Sequence, residues 1–186
     1  FVHIGNLRTF IFYDVLRRSL EFLGYKTKQV INLTDVDDKT IKGAKMRGMK
    51  LREYTDIYEK YFFEDIAALN IRKADLYPRA TENIDKMQEI IKDLMKKGYA
   101  YETDDGIYFN ISKFKDYGKL SKIKINNEVH RVKEDEYNKE NVSDFALWKK
   151  WDENDGDVFW EGELPKGRPG WHIECSAMSI KYLGET

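Results

Sequence analysis

The sequence is poor in cysteine and proline and has no excess charge of either sign. It holds one cysteine, Cys175, and three prolines among 186 residues. A single thiol cannot form an internal disulfide, and alone it cannot supply the three or four protein ligands that zinc normally takes. The 32 Lys and Arg residues balance 33 Asp and Glu residues, and the net charge of -1 neither attracts nor excludes a nucleic acid.

Long hydrophobic runs are also absent. No stretch reaches the roughly 18 apolar residues that a membrane-spanning helix needs, and no signal-peptide pattern opens the chain. One thiol and no signal peptide make the reducing cytoplasm the expected location, without a membrane. A hydrophobic fraction of 41% with 14% aromatic residues excludes wholesale disorder. The length fits one large domain or two small ones.

The first half of the chain alternates helical and extended patterns. Apolar spacing predicts a helix over 7–23, and 26–33 has the pattern of a short strand. A helix that leads directly into a strand is typical of an α/β layer. Further helices are predicted from the acidic segment 34–38 to about Gly48, over 51–70, and from an N-cap at Thr81 to Gly98.

The second half begins with a predicted hairpin that turns at Asp105-Gly106. The polar stretch 113–141 is interpreted as irregular structure or an insertion, and 157–160 as a short strand. A loop rich in turn residues over 165–170 then leads into a helix that starts at Trp171.

Three places could carry chemistry. His3, Gly5 and Asn6 precede the first helix, whose N-terminal N–H groups suit a phosphate, although on these residues alone an ordinary turn is the stronger interpretation. Thr34 follows a strand, where open α/β sheets place ligands. The alternative is that Thr34 or Asp35 caps the next helix while the acids after them complement its dipole; a magnesium site there has no further support.

The third place is the helix that starts at Trp171. His172 and Cys175 lie three residues apart and share a helical face. A lone cysteine is usually a small buried residue, and a lone histidine beside it is usually structural. Two such ligands do not make a zinc site. These residues alone therefore leave their role open.

Taken together, three segments resemble the cysteinyl-tRNA synthetase family. They are His3-Ile-Gly-Asn-Leu-Arg-Thr-Phe10, Asn32-Leu-Thr-Asp-Val-Asp-Asp-Lys39 and Gly167-Arg-Pro-Gly-Trp-His-Ile-Glu-Cys-Ser-Ala-Met-Ser179. The resemblance implies an α/β fold, the Rossmann-like catalytic domain of class I synthetases, with a parallel sheet flanked by helices and an inserted connective subdomain. The expected divisions are the first part of the catalytic domain over 1–98, the insertion over 99–158, and the return to the catalytic domain with a zinc-ligand helix over 159–186.

The resemblance also implies roles for residues. His3, Gly5 and Asn6 match the family's His-Ile-Gly-His signature, which binds ATP, and His3 and Asn6 are the expected catalytic residues. Asn6 departs from the signature, because an amide can donate a hydrogen bond but cannot become cationic. Thr34 and Trp171 are expected to bind the substrate amino acid.

Cys175 looks like one of the family's zinc ligands, the others being expected before Phe1 and after Thr186. Zinc there would recognise the substrate thiolate, since it binds sulfur well and serine's hydroxyl poorly. An apolar pocket would discriminate such near-isosteres by only about 10²-fold. The resemblance thus implies one Zn²⁺ per site.

The implied reaction is the ATP-dependent activation of L-cysteine, with Mg²⁺, followed by transfer to tRNA(Cys), carried out by a cytoplasmic monomer. Two alternatives stay open: a tRNA-independent cysteine ligase of the same fold that joins cysteine to an amino sugar, and a non-catalytic binding module. The chain starts at Phe1 without Met, and the family's Lys-Met-Ser-Lys-Ser motif and anticodon-binding domain are expected beyond Thr186. We therefore expect a piece of a longer protein, truncated at both ends, that is inactive alone.

Overall fold

A computed structural model describes residues 2–119 and 144–185 of the chain. Most of the predicted irregular stretch 113–141 lies outside these residues. The chain divides into two compact units: unit 1 comprises Phe1–Glu82 with Tyr182–Thr186, and unit 2 comprises Asn83–Lys181. The expected boundaries of a connective insertion at 99 and 158 stay a prediction.

Unit 1 is built around three helices: α1 (Ile4–Phe22), α2 (Asp38–Met46) and α3 (Leu51–Ala68), followed by a 3₁₀ turn over Ala80–Glu82. All three helices match the sequence prediction to within a few residues. Gly24 and Gly48 follow α1 and α2 with φ of +89° and +61°, a backbone conformation that glycine adopts without strain. The glycine stop signals therefore fix these helix ends.

Two extended segments of unit 1 run parallel, but they form isolated bridges rather than the predicted sheet. The bridges pair Val30 with Leu76 and Leu33 with Arg79. In a continuous parallel ladder, the N–H of residue 78 would donate to the carbonyl of Ile31, and residue 78 is a proline without an N–H. Pro78 therefore removes the hydrogen bond between the two bridges.

Arg17 ties α1 to both extended segments. Its side chain is 13% exposed, and Nη2 lies 3.1 Å from a carboxylate oxygen of Asp75. Nη1 donates to Gln29 Oε1 at 3.3 Å and to the carbonyl of Lys73 at 3.0 Å. Because an arginine fork fixes several partners at once, this contact sets the position of α1 within unit 1.

Unit 2 contains a four-stranded antiparallel sheet between two helices in the chain. Its elements are α4 (Ile84–Lys96), β1 (Ala100–Glu102), β2 (Gly106–Phe109), β3 (Phe145–Lys150), β4 (Gly167–Pro169) and α5 (Trp171–Leu183). The strand order is β1-β2-β3-β4, and every neighbouring pair is antiparallel. The α/β class is confirmed, whereas the expectation of a parallel sheet is wrong for the strands of the described residues.

The predicted hairpin at Asp105-Gly106 joins β1 to β2, with Tyr101 opposite Tyr108. Trp148 in β3 is fully buried at the centre of the sheet. The strand predicted over 157–160 is reduced to one bridge, between Trp160 and Gly167. In the described ranges 2–119 and 144–185, the helices are all too short or too polar to cross a bilayer.

Candidate functional site

The first candidate place is the N-terminus of α1. His3 is its N-cap residue, and His3 Nδ1 accepts a hydrogen bond from the Gly5 N–H at 3.1 Å. The Asn6 N–H donates to the His3 carbonyl at 2.8 Å. A neutral imidazole that accepts at Nδ1 carries its proton at Nε2, so His3 can still donate one hydrogen bond to a ligand. His3, Gly5 and Asn6 are all exposed.

Gly5 has a local role that the sequence did not indicate. A Cβ at this position would lie 3.3 Å from His3 Nδ1, which is tighter than ordinary van der Waals contact. The glycine therefore makes room for the imidazole of His3 on its own helix N-terminus, besides leaving the backbone accessible.

The acidic segment after the parallel bridge is mostly occupied by structural hydrogen bonds. Asp37, not Thr34 or Asp35, is the N-cap of α2, and it forms a reciprocal capping box with Thr40. Asp35 is buried, and its two carboxylate oxygens accept from the Thr81 N–H at 3.0 Å and the Thr81 hydroxyl at 2.6 Å. The predicted N-cap role of Thr81 is therefore wrong: Asn83 occupies that position of α4, and Thr81 holds Asp35 instead.

Thr34 lines a cavity of about 300 Å³ within unit 1. Its Oγ1 accepts a hydrogen bond from Asn32 Nδ2 at 3.2 Å, which leaves the hydroxyl hydrogen available to a ligand. The walls come from α2, α3 and the segment before α2, and the other lining residues are Leu33, Asp35, Lys39, Thr40, Tyr54, Thr55, Tyr58, Glu59 and Phe62. A cavity of this size with a few polar groups is typical of small-molecule sites.

Two tyrosines of α3 form one wall of this cavity. The rings of Tyr54 and Tyr58 lie 4.9 Å apart, and the Arg47 guanidinium stacks on both at 5.5 and 5.8 Å. The hydrogen bond to Tyr58 raises the pKa of Tyr54, and desolvation adds to the shift. Phe62 of the same helix is buried in the core and also lines the cavity.

In unit 2 the candidate residues lie at the start of α5. Gly170 precedes the helix, and its N–H donates to the Leu147 carbonyl at 2.9 Å. Trp171 is the first residue of α5 and is 65% exposed. Its ring lies 5.4 Å from that of His172, which in turn contacts the Phe145 ring at 4.5 Å. The sheet therefore supports the first turn of α5 from one side.

Helix α5 separates a buried face from an exposed face. Its buried residues are Ile173, Glu174, Ala177 and Met178. Trp171 and Cys175, one helical turn apart, are both exposed on the other side. Partial burial of the thiol raises the pKa of Cys175, and the negative charge of Glu174 raises it further. The thiol is accessible, but it is mostly protonated near neutral pH unless a cation stabilises its thiolate.

The structure groups the predicted site residues in three places. His3, Gly5 and Asn6 share the first turn of α1, Thr34 lies in the cavity, and both of these places belong to unit 1. Trp171 and Cys175 share one face of α5 in unit 2. The described residues contain no group of three or more His, Cys, Asp or Glu side chains that could hold a metal. Cys175 fits zinc as one accessible sulfur ligand, and a complete set would need further ligands.

The whole chain matches one family model, described as tRNA synthetases class I (C) catalytic domain, over residues 1–186. The Cysteine--tRNA ligase of Brachyspira hyodysenteriae is 53% identical over 189 residues, which cover 100% of this chain and 40% of that protein. The proteins of the same name from Protochlamydia amoebophila and Thermococcus kodakarensis are each 52% identical, with 40% and 39% of their lengths covered. The chain thus spans about 40% of the length of these curated relatives.

Proposed function

The chain belongs to the family of class I (C) tRNA synthetase catalytic domains, and we propose that it forms part of an enzyme that activates L-cysteine with ATP and transfers it to tRNA(Cys). One observation carries this proposal: all 186 residues align with relatives named Cysteine--tRNA ligase at about half identity. The reaction class follows from those names, and the residue roles below follow from the geometry of each place.

We assign ATP binding to the N-terminus of α1. The N–H groups of Gly5 and Asn6 already donate to His3, so the first turn of α1 favours phosphate oxygens through the positive end of its dipole. His3 would donate from Nε2, and Asn6 from its side-chain amide. Because Asn6 is neutral and His3 accepts at Nδ1 only as the neutral imidazole, positive charge that balances the phosphate oxygens would have to come from Mg²⁺ or from other residues. This arrangement supports the attack of the cysteine carboxylate on the α-phosphate, with release of pyrophosphate.

We assign recognition of the amino acid to Thr34, Trp171 and Cys175. Thr34 lines a cavity and retains a hydroxyl hydrogen, and Trp171 exposes its ring beside Cys175. Zinc, where bound, would supply a soft Lewis-acidic partner for the substrate sulfur, with Cys175 as one of its ligands. The raised pKa of the Cys175 thiol fits a residue that ionises only when a cation compensates its charge.

The test is cysteine-dependent exchange of pyrophosphate into ATP, measured on the complete gene product, with serine as the matched control substrate. We expect exchange with cysteine and none with serine, and charging of tRNA(Cys) but no transfer to an amino sugar. Transfer to an amino sugar without tRNA charging would favour the tRNA-independent ligase. Absence of exchange would favour a binding module. The 186-residue chain alone should be inactive in the same assay.

A further inference from the structure

A buried ion pair lies just before α5 and has no role in the proposed chemistry. Arg168 Nε donates to Asp155 Oδ1 at 2.7 Å, and the two side chains are only 8% and 5% exposed. Removing two charges from water is costly, and apolar residues of similar volume often stabilise a protein equally well. Stability alone is therefore a weak explanation for this pair. The geometry of the pair suggests a role in positioning α5.

The acidic partner is held by its own turn. The Asp152 N–H donates to Asp155 Oδ2 at 3.3 Å, and the Asp155 N–H donates to the Asp152 carbonyl at 3.1 Å. One carboxylate oxygen therefore binds the turn, and the other receives the guanidinium. Since both oxygens have fixed partners, the direction of the Arg168 side chain is fixed as well.

The basic partner, Arg168, lies in β4, three residues before the first residue of α5. Arg168 pairs with Lys149 of β3, and Pro169 pairs with Trp148. A Cβ on Gly170 would lie 2.1 Å from the Ala146 carbonyl oxygen, so the connection between β4 and α5 packs closely against β3. Strand pairing holds β4 against β3, and the Arg168 side chain also attaches β4 to the turn that contains Asp155. A displacement of β4 caused by a substitution at Arg168 would therefore also displace Trp171.

We infer that Arg168 and Asp155 are positioning residues, which set the orientation in which α5 presents Trp171 and Cys175 to the substrate amino acid. This inference rests on the proposed function for the identity of the substrate. Both side chains are buried, so the pair would act through β4 and Gly170 rather than by direct contact with the substrate. Because misplacement by about 1 Å can reduce a rate about 10²-fold, a small tilt of α5 suffices for a measurable effect.

The decisive variant replaces both charges, Asp155→Leu with Arg168→Met. It avoids a lone buried charge, which a single substitution would leave and which could unfold unit 2. We expect a urea midpoint within about 0.5 M of the parent. In the complete gene product, we also expect a KM for cysteine raised about tenfold with an unchanged KM for ATP. Arg168→Lys keeps the positive charge but not the planar guanidinium, so its KM for cysteine should lie between those of the parent and the double variant.

A second measurement does not depend on activity. Cys175 is the one thiol of the chain, so the rate of alkylation of the 186-residue chain reports on α5 alone. The double variant should change this rate about threefold or more, and Arg168→Lys should restore it in part. The matched control is Asp93→Asn with Lys97→Met, which removes an exposed ion pair of α4 and should change neither measurement.

The outcomes separate the two proposals. A stably folded double variant with parental alkylation and a parental KM for cysteine would overturn the positioning role. Equal increases in the KM for cysteine and for ATP would also overturn it, since they indicate a general structural loss. If the parent shows no cysteine-dependent exchange, the proposed function fails, while the alkylation rates still decide whether the pair orients α5.

Discussion

Substitution of Gly170 by alanine should destabilise unit 2 more than its size suggests. The added Cβ would lie 2.1 Å from the Ala146 carbonyl oxygen and 2.7 Å from the carbonyl carbon. Ordinary contacts require about 3.5 Å, so β3 and the start of α5 would have to separate by roughly 1.4 Å. Overpacking of this kind costs about 1–3 kcal/mol. Loss of the hydrogen bond from Gly170 N–H to the Leu147 carbonyl adds about 1 kcal/mol.

The resulting loss of about 2–4 kcal/mol should lower the urea midpoint by about 1–2 M for a typical dependence on denaturant. The assay is tryptophan fluorescence, because all four tryptophans, Trp148, Trp151, Trp160 and Trp171, lie in unit 2 and report its unfolding alone.

The matched control is Gly156→Ala. Gly156 has φ of +61° and no atom within 4 Å of an added Cβ, so alanine costs only the backbone strain of about 1–2 kcal/mol. A midpoint for Gly170→Ala that equals or exceeds that of Gly156→Ala would refute the reasoning. It would mean that α5 is not held against β3 at the separation described.

Three further predictions concern single residues. Trp171→Ala in the complete gene product should raise the KM for cysteine in pyrophosphate exchange, and unchanged kinetics would remove Trp171 from the substrate pocket. Alkylation of Cys175 should reach half its maximal rate at a higher pH than that of free cysteine, since partial burial and Glu174 raise the pKa of its thiol; an equal or lower midpoint would contradict this. Asp37→Ala should lower the free energy of unfolding of unit 1 by about 1 kcal/mol through loss of the N-cap of α2, measured by circular dichroism; Asp38→Ala, in the first turn but not the cap, is the control and should cost less.

Local signals made the helices and the hairpin predictable. Gly24, Gly48 and Gly98 all follow predicted helices, and all have a positive φ. The turn at Asp105-Gly106 was visible for the same reason, because its residue types favour a tight turn whatever surrounds them. Helix ends and tight turns depend on a few adjacent residues, so the sequence predicts them without knowledge of the tertiary structure.

Properties set by distant residues were not predictable. Apolar spacing predicted the helix α1, yet its apolar residue Phe12 is 62% exposed, and the buried residue of the helix is Asp14. Asp14 is held by Arg18 at 2.7 Å and by the backbone N–H of Arg72, 58 residues away. Likewise, the loss of the parallel ladder depends on Pro78, which meets Ile31 only after folding. A window of neighbouring residues contains neither partner.

The same distinction separates structural from functional residues in the acidic segment. Asp35 and Asp37 could have been magnesium ligands by residue type, but each already accepts hydrogen bonds from protein donors. The contact of Asp35 with Thr81 and the cap that Asp37 provides for α2 give both carboxylates a structural role, and loss of either contact costs about 1 kcal/mol or more. The hydroxyl oxygen of Thr34 accepts a hydrogen bond from Asn32, its hydroxyl hydrogen can still be donated to a ligand, and the residue lines the cavity. Within this segment, the neutral hydroxyl is therefore a better candidate for ligand binding than the two carboxylates.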